Sequence, residues 1–155
     1  MGNRRRHVKR VLAVASGGGH WIQLLRLQPA FEGCRIVYVC TNSGYRYTVG
    51  SSPFYVVTDA HRGTRWRLLF CALRLGLIIL FELPDVVIST GAAPGYFAIR
   101  IAKVLGAKTV WVDSIANASE MSLSGRLVRP FADLWLTQWK HIARSPGPHF
   151  VGAVL

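Results

Sequence analysis

Apolar residues along the chain fall into six short runs separated by glycine-rich or helical stretches. Residues 11–15 (VLAVA), 35–41 (RIVYVCT), 54–58 (FYVVT), 85–89 (DVVIS), 108–112 (KTVWV) and 132–137 (ADLWLT) have strand length and carry β-branched and aromatic residues. Helical patterns lie between them. Trp21, Ile22, Leu24, Leu25 and Leu27 precede Pro29, residues 68–81 are apolar on nearly every side, a helix is expected over about 96–105, and 123–131 is short and basic. Residues 43–53, rich in Gly, Ser and Tyr, read as a loop. No internal repeat is present. Strands alternating with helices predict an α/β fold built on a doubly wound, mostly parallel sheet.

Two strand ends carry unusual loops. The first strand runs into Ser16, Gly17, Gly18, Gly19 and His20, and the fourth into Thr90, Gly91, Ala92, Ala93, Pro94 and Gly95. In a parallel sheet both loops open on the same edge, where the following helices present unpaired backbone N–H groups to an anion. Glycine lets a phosphate approach the backbone closely, and His20 is the titratable group beside it. The plainer alternative is a tight turn capped by Ser16. The fifth strand delivers Asp113, Ser114 and Asn117 to that edge, and the sixth delivers Gln138 and Trp139. Ser119, Ser122 and Ser124 are candidate caps for the helix that follows. A dinucleotide site is disfavoured: the second strand ends in Thr41 and Asn42 without a carboxylate, and the glycine run lacks the third, helix-packing glycine.

Length and charge then narrow the class. With 155 residues the chain suits one domain, its hydrophobic content is 51%, and its formal net charge is +12 at a mean hydropathy of +0.29. A chain both basic and apolar points to an anionic membrane surface or a phosphate-bearing substrate. Support for nucleic acid is charge alone, with no recognisable binding motif, and none is expected as a partner. Residues 1–10 form a basic tail with Arg4, Arg5, Arg6, Lys9 and Arg10, and the apolar run after it is too short for a signal-peptide core. The segment at about 65–83 is too short to span a bilayer. It reads either as a buried helix or as one dipping into a single leaflet. In the second case Arg65, Arg67 and Arg74 reach headgroup phosphates while Leu69, Phe70, Leu73, Leu77, Ile78 and Phe81 enter the acyl region. Cys34, Cys40 and Cys71, an odd count in apolar surroundings, fit free thiols in a reducing cytoplasm. The tail from Lys140, with Pro146 and Pro148, reads as an extended connector.

Taken together, SGGGH (16–20), DVVISTGAAPG (85–95), Asp113 with Ser114, SLSG (122–125) and ADLWLTQW (132–139) resemble the PssD-type exopolysaccharide proteins. These are bacterial counterparts of the membrane-anchoring subunit of the bipartite UDP-N-acetylglucosamine transferase that builds dolichol-linked oligosaccharide. The resemblance implies a Rossmann-like domain over residues 11–145, equivalent to the N-terminal half of a GT-B glycosyltransferase, with a membrane-associated helix. It implies an inverting transfer, in exopolysaccharide or capsule assembly, from a nucleotide sugar held mainly by a donor-binding partner subunit to a lipid-linked diphosphate acceptor. The location implied is the cytoplasmic face of the inner membrane, and no cofactor or metal is expected. On this resemblance His20 is the candidate base, with Asp113 as alternative base or as the group orienting His20. Ser16, Gly17, Gly18, Gly19, Thr90 and Gly91 would bind phosphate, and Ser114, Asn117 and Gln138 sugar hydroxyls. Trp139 would stack on a sugar ring or meet the partner, and Phe150, with the connector 146–155, would meet the partner. The competing reading is a non-catalytic membrane scaffold that recruits the catalytic subunit.

Overall fold

The computed structural model describes residues 8–59 and 63–154; Arg4, Arg5, Arg6 and Arg62 of the basic clusters lie outside them. Strands β1 (Arg10–Ala15), β2 (Arg35–Cys40), β3 (Phe54–Val56), β4 (Val86–Ser89), β5 (Lys108–Val112) and β6 (Leu134–Leu136) stand where the apolar runs put them. They form one sheet in the order β3-β2-β1-β4-β5-β6. Every adjacent pair is parallel, so the sheet is wholly parallel.

Successive side chains of a strand point to opposite faces, and β1 supplies both halves of the core in this way. Leu12 and Val14 pack with Val37, Val39 and Val87 under helices α2 (Arg65–Glu82), α3 (Ala92–Val104) and α4 (Leu123–Val128). Val11, Ala13 and Ala15 pack on the other side with Tyr38, Cys40 and the helix α1 (Gly19–Arg26). Trp21 anchors α1: its ring lies 5.7–5.8 Å from those of Tyr38, Tyr45 and Phe54, and its Nε1 donates to Thr48 Oγ1 at 3.2 Å.

Several boundaries differ from the sequence reading for local reasons. Helix α1 stops at Arg26, and Pro29 belongs to a separate 3-10 turn, Gln28–Phe31. Helix α3 starts at Ala92, four residues before the expected Tyr96, because Pro94 falls in the first turn, where its missing N–H has no helical partner to lose. Part of the expected loop is a 3-10 helix, Ser43–Val49, begun by Asn42, whose side chain accepts from Gly44 N at 2.8 Å. The C-terminal segment, read as an extended connector, runs along the β6 edge. Thr137 N donates to His149 O and His149 N to Trp135 O, both at 2.9 Å, so Leu136 and His149 form a parallel bridge on the β6 edge.

Helix α2 divides cleanly. Cys71, Leu75, Ile78, Ile79 and Glu82 face the sheet, while Trp66, Leu69, Phe70, Leu73, Leu77, Leu80 and Phe81 are exposed, Phe81 to 79%. Ile78 therefore does not belong to the outward set in which the sequence reading put it. Burial pushes the Cys71 thiol up to about 11. The buried Glu82 carboxylate accepts from Tyr55 OH at 2.6 Å and from Arg35 Nη2 at 3.3 Å.

Candidate functional site

Strands β1 and β4 are neighbours, yet the chain leaves β1 for a helix on one face and β4 for a helix on the other. A parallel sheet opens a crevice at such a switch point. Both helices that flank it begin with glycine, α1 at Gly18 and α3 at Gly91, and neither start has a side-chain cap. Ser16 thus does not cap α1. The first intrahelical bond of α1 runs from Ile22 N to Gly18 O, leaving Gly19, His20 and Trp21 to supply the first-turn N–H groups at the positive end of the helix dipole.

His20 is latched across this crevice. Its Nδ1 lies 3.0 Å from Thr90 O, and Thr90 Oγ1 donates to His20 O at 2.7 Å. A carbonyl can only accept, so Nδ1 carries the ring proton when the imidazole is neutral and Nε2 keeps a lone pair. Gly91 makes room for the ring: it adopts φ +144°, and a Cβ there would lie 2.4 Å from His20 Nδ1.

The glycine loop is partly engaged already. Gly17 N donates to Thr41 Oγ1 at 3.1 Å and Gly18 N to Tyr45 OH at 3.2 Å, so the β2 end and its loop fix the shape of the cradle. Two open clefts adjoin it. One of about 680 Å³ is lined by Ser16–Gly18, Thr41, Asn42, Asp59, Ala92 and Ala93. The second, about 540 Å³, is bordered by Gly19, His20, Gln23, Ser114, Asn117 and Ser122.

Asp113 reaches the same edge but is only 2% exposed. Its carboxylate accepts from Trp111 Nε1 at 3.1 Å, Asn117 Nδ2 at 3.1 Å, Ser122 N at 2.8 Å and Ser122 Oγ at 2.5 Å. Four donors from β5 and its following loop surround it, and His20 is not among them; Asp113 does not orient the imidazole. Ser122 in turn caps α4, its Oγ accepting from Gly125 N at 2.8 Å.

Ser114 and Gln138 are also buried, and their polar atoms are engaged within the protein. Gln23 joins them: its Nε2 donates to Ser114 Oγ at 3.1 Å, and its Oε1 accepts from Gln138 Nε2 at 2.6 Å and Ile115 N at 3.1 Å. Gln138 Oε1 accepts from Val154 N at 2.7 Å. This network ties α1, the ends of β5 and β6 and the C-terminal segment together; both polar atoms of Gln138 are taken up in it, whereas Ser114 Oγ acts in it only as an acceptor, from Gln23 and from Ala116 N at 3.3 Å, and borders the second cleft. Trp139 is half-buried with Nε1 donating to Ile115 O at 2.8 Å, and Phe150 is 37% exposed. Gln23, Thr41 and Tyr45 are site residues that the sequence reading missed. The one signal was Gln23 itself, a polar residue between Ile22 and Leu24 in an apolar helix. Among the described residues no group of three His, Cys, Asp or Glu side chains is placed to hold a metal ion, and no helix is long and apolar enough to cross a membrane. Arg65, Arg67 and Arg74 are exposed on α2.

Comparison with known proteins adds the family. The chain is 38% identical over 68 residues to the UDP-N-acetylglucosamine transferase subunit alg14 of Schizosaccharomyces pombe, covering 41% of this chain and 32% of that protein. It is 36% identical over 91 residues to subunit ALG14 of Cryptococcus neoformans var. neoformans, covering 50% and 39%. The matched stretches thus span about a third of the length of these relatives. Among solved structures, Acinetobacter baumannii MurG superposes with a TM-score of 0.75 over 94% of this chain and 45% of that one at 16% identity. The UDP-N-acetylglucosamine 2-epimerase of Rickettsia bellii gives 0.66 over 87% and 40%, also at 16% identity. These likenesses show the Rossmann-like fold of the N-terminal half of a GT-B glycosyltransferase. The family model described as "Oligosaccharide biosynthesis protein Alg14 like" matches residues 48–154, from the 3-10 helix after β2 through α2, the second glycine loop and Asp113 to the C-terminal segment, and the chain belongs to this Alg14-like family.

Proposed function

We propose that the chain is the acceptor-side subunit of a two-component, inverting glycosyltransferase that acts on a lipid-linked diphosphate acceptor. The observation that carries this reading is His20, held at the switch point between two uncapped helix starts with its Nε2 lone pair free. Phosphate oxygens accept from the first-turn N–H groups of α1 and α3, and the acceptor hydroxyl approaches His20. As the hydroxyl oxygen bonds to the anomeric carbon, its proton passes to Nε2 and the nucleoside diphosphate departs with the electron pair of the broken bond. Asp113 acts by holding the β5–α4 loop that borders the second cleft, where Ser114 and Asn117 are the candidates to meet a sugar.

The donor site belongs to a separate subunit that closes over this edge, with Phe150 and the C-terminal segment in contact with it. The names of the curated relatives favour UDP-N-acetylglucosamine as donor. Helix α2 lays its apolar face on an anionic membrane, at the cytoplasmic side, and the setting is exopolysaccharide or capsule assembly.

The test is His20→Ala, expressed with the donor-binding subunit. Transfer falls by about 10²- to 10⁴-fold while co-purification of the two subunits is retained. Unchanged turnover removes His20 from the mechanism. If activity then fails only when α2 is disrupted, the chain is a scaffold that recruits its partner.

A further inference from the structure

A groove of about 380 Å³ runs between α2 and α3. Ala72, Gly76 and Leu80, each four residues from the next, line one side, and Phe97, Ile101 and Leu105, spaced in the same way, line the other. At Leu80 and Leu105 it meets a second hollow of about 310 Å³ that continues past Leu83 to Gly106 at the amino-terminal edge of the sheet. Apart from the Arg100 side chain the lining is apolar, a surface along which a hydrocarbon chain can lie out of water.

Two features say what kind of molecule brings that chain. The basic residues of α2 and α3 are Arg65, Arg67, Arg74, Arg100 and Lys103, the last paired with Asp133; their one acid, Glu82, is buried against Tyr55 and Arg35, and Asp85 borders the second hollow. Arg100 stands at the groove, its Nη1 donating to Tyr96 OH at 3.1 Å and its guanidinium 5.3 Å from the centre of the Phe131 ring. An anionic amphiphile is the complement of such a surface. The second feature is direction. Ala93, Phe97, Ile101 and Leu105 fall on one face of α3, and Ala93 lines the first cleft beside the glycine loop while the other three line the groove. One turn of α3, from Ala93 to Phe97, therefore separates the candidate phosphate site from the apolar groove.

We propose that the groove between α2 and α3 seats the hydrocarbon tail of the acceptor lipid, whose phosphate end lies in the first cleft. The proposal rests on the acceptor-side reading above and adds where the tail goes. Its consequence is that the lipid is held by the protein along α3 as well as by the bilayer, so chain length contributes to acceptor affinity.

Gly76 provides the test, because it lines the groove and a Cβ there would meet no atom within 4 Å, so a longer side chain starts from open space and projects into the groove. The full chain, with its donor-binding subunit and in phosphatidylcholine nanodiscs, is photolabelled with a diazirine-tipped geranylgeranyl diphosphate. Crosslinks are expected at residues 76, 80, 101 or 105, competed by unlabelled geranylgeranyl diphosphate. Gly76→Leu is expected to weaken geranylgeranyl diphosphate binding by about tenfold or more, since several methylenes lose their seat, and to leave isopentenyl diphosphate binding within about twofold. Crosslinks confined to Leu69, Leu73 and Leu77, or equal labelling of the groove by a diazirine phosphatidylcholine that the diphosphate does not compete, overturn the proposal. So does binding of both diphosphates that Gly76→Leu leaves unchanged, which spares the acceptor-side reading. Failure of both diphosphates to bind overturns that reading, and the tail assignment with it.

Discussion

At the scale of single residues, the site depends on an absent side chain as much as on a present one. Gly91→Ala places a Cβ against the His20 ring in a backbone conformation that L-residues avoid. The expected result is a folded protein, destabilised by about 1–3 kcal/mol, whose transfer activity approaches that of His20→Ala. Full activity would show that the ring position is irrelevant. Gly95→Ala strains the same loop from below: its Cβ would collide with Ser89 Oγ, which accepts from Gly91 N at 3.2 Å, so stability and turnover are expected to fall together. The thiols give a second prediction. Burial raises both Cys40 and Cys71, the latter to about 11, and only Cys34 is partly accessible. A thiol reagent at neutral pH should modify one of the three in the native protein and all three after unfolding.

Much of this site was legible because strand ends are legible. SGGGH, Thr90 with Gly91, and Asp113 all follow short apolar runs, and a parallel sheet brings such positions to one edge. Sequence could not say which polar groups face outward. Gln138 looks like a sugar ligand until Gln23, distant in sequence, and Val154 are seen to engage it. Thr41 and Tyr45 were hidden for the same reason, since their partners are backbone N–H groups of another segment.

At the scale of elements, α2 was recognisable by its long apolar run, but its orientation was not. Leu73, Leu77 and Ile78 are equivalent by hydropathy, and a helix apolar on nearly every side has no period to read. The structure separates them: Leu77 is 69% exposed and Ile78 is 6%. Replacing Leu73 and Leu77 together with Glu should leave the melting transition within about 1 kcal/mol and abolish co-sedimentation with anionic vesicles. Sedimentation unchanged from wild type removes the membrane role. Ile78→Glu should instead cost about 3 kcal/mol or more, because it buries an unpaired charge.

At the scale of the whole molecule, the sheet is held at its β5–β6 side by a carboxylate. Asp133 accepts from Thr109 N at 2.9 Å and pairs with Lys103 of α3. The Lys103 hydrogen bond, helped by those from Thr109 and opposed by desolvation, lowers its pKa below the ordinary carboxylate value. A group depressed in the folded state contributes stability above its unfolded pKa and loses it as the pH falls through the folded one. Urea melts from about pH 5 down to pH 2 should therefore show a decline in the wild type that is shallower in Asp133→Asn. An identical acid limb in the two proteins would assign the decline elsewhere.

The order of the sheet also constrains how the protein is made. β1 is its first described strand, and its two edges pair with residues 35–40 and 86–89. During synthesis, at about 5–20 residues per second, β1 can gain β2 early but must wait for β4 to close its other side. By the end of that interval the apolar helix α2 has been translated and still lacks α3, the helix it packs against. The growing chain thus passes through a stage in which an open strand edge and a greasy helix are both uncovered, and this is when the nascent protein most needs a chaperone or a membrane surface.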